Sequence, residues 1–357
     1  MNQPNPSALT LFDLLARRWQ ARAAVADIRF AADGATTAFA TADGAVLIAP
    51  PDAEPPDRRI RVSGDLGQTT IRPREAEPTA LVTISSLAEG APPLAVDGAR
   101  FLVGDGDGRV LGLGADGATE PLLTLGGAVV ALDHAAGVTA AADAASLLRA
   151  GPDGAERRAL PGLRALALAP DGRQLAIADA AQVEILGPRT RRFPLPGATR
   201  LVWRGDGAWL AAALGTGGVG LVSPEAPGVV RLAAFPAPVR GLAWSADGLA
   251  FVAAGAFRVA AWAADPEPAP DTPLVTGHPG LVLVEAVAAH PTRPLVAAGY
   301  ANGQVTIAAL GGRDELLLRQ GGAAVTRIAF SPDGSQLAIG DADGAIAIAG
   351  LPARMFK

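Results

Sequence analysis

Four arginines carry the most suggestive chemistry in this chain. Arg164 and Arg240 stand seven residues before an Asp-Gly turn (Asp171, Asp247), and Arg200 and Arg327 stand six residues before one (Asp206, Asp333). Guanidiniums brought together at one rim would favour a carboxylate or phosphate, gripped bidentately. The plainer reading pairs each with a carboxylate on a neighbouring structural unit. The one-residue offset means that the two pairs need not form one ring. Tyr300, the only tyrosine, sits beside the Asn302-Gly303 turn and is expected to be an exposed contact.

Other reactive types are sparse. No cysteine is present, which excludes thiolate nucleophiles, disulfides, cysteine-type zinc sites and iron–sulfur clusters. His134, His278 and His290 fall at unlike positions of the pattern described below, so a three-histidine metal site is not expected. The GDGDG at 104–108 and GDADG at 340–344 lack the ligand frame of a calcium loop. The GTGGVG at 215–220 invites a phosphate-loop reading, but no helix follows to offer its N-terminus. No catalytic residue, metal ligand or cofactor is assigned.

The elements that must position these residues repeat. A short apolar strand runs into a tight turn, a second apolar strand, a Gly-rich turn and a third strand. Six copies are plain, at 28–49, 166–186, 201–222, 242–262, 286–308 and 328–349, and two are degraded, at 93–113 and 130–149. The reference turn residues are Asp33, Asp97, Ala136, Asp171, Asp206, Asp247, Thr292 and Asp333. Their spacing, after a longer first interval, suits a four-stranded blade of roughly 35–45 residues. Strands that are apolar throughout imply sheets covered on both faces. The expected fold is all-β: one closed propeller of eight four-stranded blades, with seven as runner-up. The turn Asp residues are read as structural, because Gly supplies positive φ there and the carboxylate accepts its own turn's N–H groups.

Expected boundaries are an N-terminal arm at 1–17, the propeller at 18–350 and a tail at 351–357. Residues 9–17 suggest a short helix with Leu11, Phe12, Leu14 and Leu15 as its apolar set. The last repeat has only three strands, so Arg18–Val25 is expected to pair with Ala345–Ala349 and close the ring. The charged, Pro-rich stretch 50–78 reads as a solvated insertion with short strands near 59–62 and 70–72. The fourth strand of the first blade is placed at Leu81–Leu87. A second loop, 264–273, interrupts the sixth repeat. Phe30, Trp203, Trp244, Phe330 and Leu168 share one phase, three residues before the turn reference, and are assigned to the core between blades.

The hairpins Ser331-Pro332-Asp333-Gly334, Ser245-Ala246-Asp247-Gly248 and Ala169-Pro170-Asp171-Gly172, with later turns at Asp43-Gly44, Asp107-Gly108, Asn302-Gly303 and Asp343-Gly344, give the chain its likeness. It resembles the WD40-repeat propeller superfamily, especially divergent bacterial members that retain the Ser-Pro-Asp-Gly hairpin. Gly-His occurs once, at Gly277-His278, and Trp-Asp never, so that family's side-chain network is mostly missing. The resemblance implies a non-catalytic scaffold that binds a protein or acidic peptide through the top face. Arg164, Arg200, Arg240, Arg327 and Tyr300 would be the contacts. The alternative is a propeller hydrolase or lyase, which a cluster of unpaired carboxylates in the central channel would reveal.

Thirty basic and thirty-five acidic residues give a net charge of −5, which argues against tracking a nucleic-acid backbone. No apolar run is long enough to span a membrane, and no secretory leader is recognisable. A monomeric, cytoplasmic, bacterial protein is the expectation.

Overall fold

The structure, a computed structural model, describes residues 9–62, 69–215, 217–232, 235–264 and 267–352. Residues 1–8 of the expected arm and 353–357 of the expected tail lie outside those described.

The turn chemistry operates as the residue types require. The carboxylates of Asp33, Asp171, Asp206, Asp247 and Asp333 each accept the backbone N–H two residues on, at 2.9–3.0 Å. Ser245 and Ser331 add their hydroxyls to the same oxygens at 2.5 and 2.6 Å. Asp97 differs: its side chain accepts from Arg100 across the hairpin. The degraded third repeat turns on Ala136 and Gly137, both at positive φ.

These hairpins build eight antiparallel sheets. The innermost strands are Val25–Phe30, Leu94–Asp97, Ala131–Ala135, Ala165–Leu168, Ala198–Trp203, Leu242–Trp244, Val284–Ala289 and Val325–Phe330, numbered here as blades one to eight. Seven blades have four strands; the sixth has three among the described residues. In the sixth, Pro273 bridges to Trp262 and the Leu274 N–H donates to Ala261 O, so a short stretch stands in the place of an outer strand. The outer strand of the first blade is Val82–Ile84.

Closure occurs through the N-terminus, two residues earlier than expected. Ala16–Gln20, not Arg18–Val25, pairs antiparallel with the last strand, from Ala16 opposite Ala349 to Gln20 opposite Ala345. Val25 already begins the first blade. Upstream, the helix Leu11–Leu15 starts at a capping box between Thr10 and Asp13 and buries Phe12 and Leu15 in the core of blades seven and eight.

The insertion at 50–78 is not simply solvated. It forms a short helix, Pro56–Arg59, and a hairpin of Ile60–Val62 with Thr69–Ile71. Arg59 is fully buried, donating to Arg72 O (2.7 Å) and Glu54 O (3.3 Å). Asp52 binds Arg74 bidentately at 2.8 Å and lies 3.8 Å from buried Arg17 of the closing strand. Arg17 also donates to Pro50 O at 2.6 Å. The insertion therefore latches the closing strand from outside.

Between blades, large apolar side chains meet small ones. Trp203 and Trp244, buried, donate their indole N–H to Ala167 O and Val202 O on the preceding blade's inner strand. Phe30 and Leu168 are buried at the same phase, and Phe330 is half-buried against His290. Val25 and Val325, at the starts of their inner strands, sit over Gly340 and Gly299 of the blade before, where any Cβ would lie under 3.0 Å from the valine. This explains the Ala- and Gly-rich second strands.

Two outcomes test this packing. Removing residues 1–20 takes away the closing strand, so the melting temperature should fall far more than for removal of residues 1–9; equal values would contradict closure by Ala16–Gln20. Gly340→Ala should cost about 1–3 kcal/mol by overpacking, and Val25→Ala in the same chain should recover part of it, as read from denaturant unfolding of the double-mutant cycle.

Candidate functional site

Antiparallel pairing places the turns between second and third strands at the same end as the segments leading into each inner strand. Backbone hydrogen bonds join them, as from Gly255 N to Val284 O and from Leu87 N to Gly44 O. This end is the top face, and all four arginines belong to it.

A shared backbone irregularity aims them. The inner strands of blades one, five, seven and eight each carry a register shift two residues from their start, between Val25 and Asp27, Ala198 and Arg200, Val284 and Ala286, and Val325 and Arg327. A bulge of this kind re-aims the side chains beside it. Asp27, Arg200 and Arg327 therefore occupy one equivalent position in three blades, and the first-strand register places them along the channel. Arg164 and Arg240 lie just before their strands and stay exposed. The four form two layers, not one ring.

Their partners differ. Arg240, exposed, reaches half-buried Glu285 of the neighbouring blade at 3.6 Å, a pair weakened by the solvent around the guanidinium. Arg164 has no ion pair or side-chain hydrogen bond among the described residues. Arg327, half-buried, donates through Nη1 to Thr326 O at 2.7 Å, while its Nε is buried without a partner. Arg200 is half-buried and has no ion pair or side-chain hydrogen bond among the described residues. Burial, with Arg327 as the next cause, draws the Arg200 guanidinium down to about 10. Burial also lowers Arg327, and Asp27 opposes that shift.

Tyr300 is not an exposed contact. It ends the second strand of blade seven, is 8% exposed, and packs in the cluster with Val252, Val284 and Val296. Its hydroxyl lies 3.4 Å from Thr306 Oγ1, and burial raises its pKa. The tyrosine beside a surface turn points inward, because the end of this second strand packs against blade six.

Three further channel residues went unnoticed in the sequence. Asp27 holds Arg29 Nε at 3.1 Å, and its charge raises the Arg29 pKa. Asp133 of blade three accepts the N–H groups of Leu168 on blade four (2.8 Å) and of His134 (2.9 Å). Desolvation pushes its carboxyl above the ordinary range, against the pull of Arg29. The signal was available: polar residues inside otherwise apolar inner strands. The channel carboxylates Asp27, Asp133 and Glu285 thus each have a partner. Among the described residues no group of three or more His, Asp or Glu could hold a metal.

The same face exposes apolar side chains. Leu281 is 96% and Phe257 48% exposed, and the Gly280 N–H donates to Phe257 O, which holds them side by side. Arg258 next to them is exposed. By contrast, a groove of about 620 Å³ on the outer rim lies between splayed blade edges, where Asp13 is already taken by Thr10 and Arg18.

The family model described as WD domain, G-beta repeat matches residues 316–348, the outer strand of blade seven and most of blade eight. No curated protein matches the chain in sequence. Among solved structures, it is similar to the computationally designed Ika8 protein, with 14% identity, 95% of this chain and 99% of that chain covered, and a TM-score of 0.64. It is similar to the C-terminal WD40 domain of Sif2, at 11% identity, 94% and 99% coverage and a TM-score of 0.64. It is also similar to the WD40 propeller domain of Doa1, at 12% identity, 96% and 98% coverage and a TM-score of 0.59. At these identities the likeness is one of fold: a WD40-like β-propeller.

Asp133 offers a test of the channel. Asp133→Asn keeps an acceptor for the Leu168 N–H and should stay within about 1 kcal/mol of the native protein at neutral pH, whereas Asp133→Ala should cost about 1–3 kcal/mol. Because the folded pKa is raised, ionisation of Asp133 opposes folding: its contribution is most favourable at low pH and declines as pH rises through the folded value. Melting curves of Asp133→Asn should lack that decline.

Proposed function

We propose that the chain is a non-catalytic scaffold that binds an acidic protein segment through its top face between blades four and seven. Leu281 and Phe257, exposed side by side within a basic surround, carry this reading. An apolar anchor ringed by charge is the usual form of a recognition patch. Arg164, Arg240 and Arg258 supply the positive charge; of the acidic residues on the same arc, Asp179 is held by the N–H groups of its own turn and Glu285 by Arg240. Rigid sheets hold these residues, so little ordering cost is incurred on binding. Arg200 and Arg327 lie deeper and contribute field, while buried Tyr300 supports the second strand beneath. The partnered state of the channel carboxylates favours this reading over a hydrolase or lyase.

The test compares capture of partners from native lysate by the native chain and by Arg240→Ala/Leu281→Ser. The variant should weaken binding of a specific partner at least about tenfold, since a charge-assisted contact and a buried anchor contribute about 1–3 kcal/mol each. Leu317→Ser, on the outer strand of blade seven, should leave it unchanged. A partner retained equally by the double variant would overturn the assignment.

A further inference from the structure

We propose that the central channel is itself a binding site, taking one small inorganic oxyanion of the phosphate or sulfate class between the guanidiniums of Arg200 and Arg327. The site is independent of the peptide-binding patch above it.

The argument begins with unmet demand. Arg200 and Arg327 stand at equivalent positions after the inner-strand bulges of blades five and eight. Arg200 has no protein acceptor among the described residues, and Arg327 leaves a buried Nε–H unsatisfied. A buried donor without an acceptor is costly, and a buried unpaired cation more so.

Available carboxylates do not meet the demand. Asp27 is the negative charge acting on both arginines. Its Oδ2 is already held by Arg29 Nε and its Oδ1 by the Ile28 N–H. Asp133 is occupied by two backbone N–H groups, and burial favours its protonated form. Glu285 belongs to Arg240. Among the described residues, Arg29, Arg200 and Arg327, with Arg240 at the mouth, therefore face Asp27, Asp133 and Glu285, leaving excess positive charge even with all three ionised. The charge of Arg327 acts on Arg200, so an anion held by the Arg327 donors would also stabilise the Arg200 cation.

Guanidinium forks match the spaced oxygens of a tetrahedral oxyanion better than a monatomic ion. Arg164 and Arg240 on the rim are exposed, whereas Arg200 and Arg327 are drawn into the channel. That depth suits an ion that enters alone over a phosphate carried on a bound peptide.

The experiment titrates sodium phosphate into the native chain by calorimetry, in a chloride-poor buffer at fixed ionic strength, with melting temperatures in parallel. Saturable binding is expected, with a rise in melting temperature of roughly 2–4 °C at saturation. Arg200→Met should be at least as stable as the native chain without phosphate and should weaken phosphate binding by about tenfold or more. Arg327→Met, with the native titration, carries the test if Arg200→Met does not fold. Arg240→Ala/Leu281→Ser should bind phosphate with native affinity, which separates this site from the peptide patch. Absence of saturable binding, an equal response to sodium chloride, or native affinity in both channel variants would overturn the proposal.

Discussion

Everything in this molecule depends on ring closure by five residues at the wrong end of the chain. Pairing Ala16–Gln20 with Ala345–Gly350 joins strands separated by nearly the whole sequence, so its loop-closure entropy must be met by local contacts. The structure provides them in layers. Phe12 and Leu15 insert into the core of the last two blades, and Ile346 and Ile348 pack with Phe39 and Leu47 of the first. Arg17, buried, is held from the far side by Pro50 O and by Asp52, itself fixed by Arg74. Without this closure, the faces of blades eight and one would lie open, and the channel would lose its defined geometry.

Closure makes the inner strands rigid, and their bulges then give the channel its character. A regular strand would continue the alternation of Phe30 and Ile28 to Ala26; the bulge buries Val25 instead. Asp27, Arg200 and Arg327 each follow directly on such a bulge, at the top end of their strands. Indole N–H groups of Trp203 and Trp244 satisfy the carbonyls of the neighbouring inner strands, and Asp133 satisfies Leu168 N–H. Blade-to-blade polar contacts of this kind set the angular spacing that apolar packing alone leaves loose.

The sequence made local chemistry readable and long-range chemistry obscure. Asp-Gly turns, the blade period and the aromatic phase all arise within one repeat, so eight blades and the core residues Trp203 and Trp244 were legible. Closure was legible from an unpaired last blade, but its register was not: Ala16 and Arg17 look like the end of a helix until Asp52 and Pro50 are seen beside them. The insertion's buried Arg59 was hidden because its acceptors, Glu54 O and Arg72 O, are backbone carbonyls that leave no mark in composition. The one-residue offset of the arginines was visible, yet only the bulges show that it divides channel from rim. Tyr300 was misplaced because proximity to a turn says nothing of which way a second-strand side chain faces.

Net charge and local charge pull in opposite directions here, and screening decides between them. A chain at −5 should repel an acidic segment at long range. At physiological ionic strength the screening length is about 8 Å, so acidic turns such as Asp43, Asp107 and Asp343, on blades one, two and eight, scarcely reach the arc between blades four and seven. Within that arc Arg164, Arg240 and Arg258 dominate. The rim and the channel must then respond differently to salt. Exposed guanidiniums lose their attraction as ions accumulate around them, while Arg200 and Arg327, half-buried between blades, are shielded less by solvent ions and remain strong centres of field. A single face can thus present a screened, adjustable contact outside and a persistent positive well within, because the strand starts of blades four and six leave their arginine exposed, while those of blades five and eight carry it one residue further in and half-bury it.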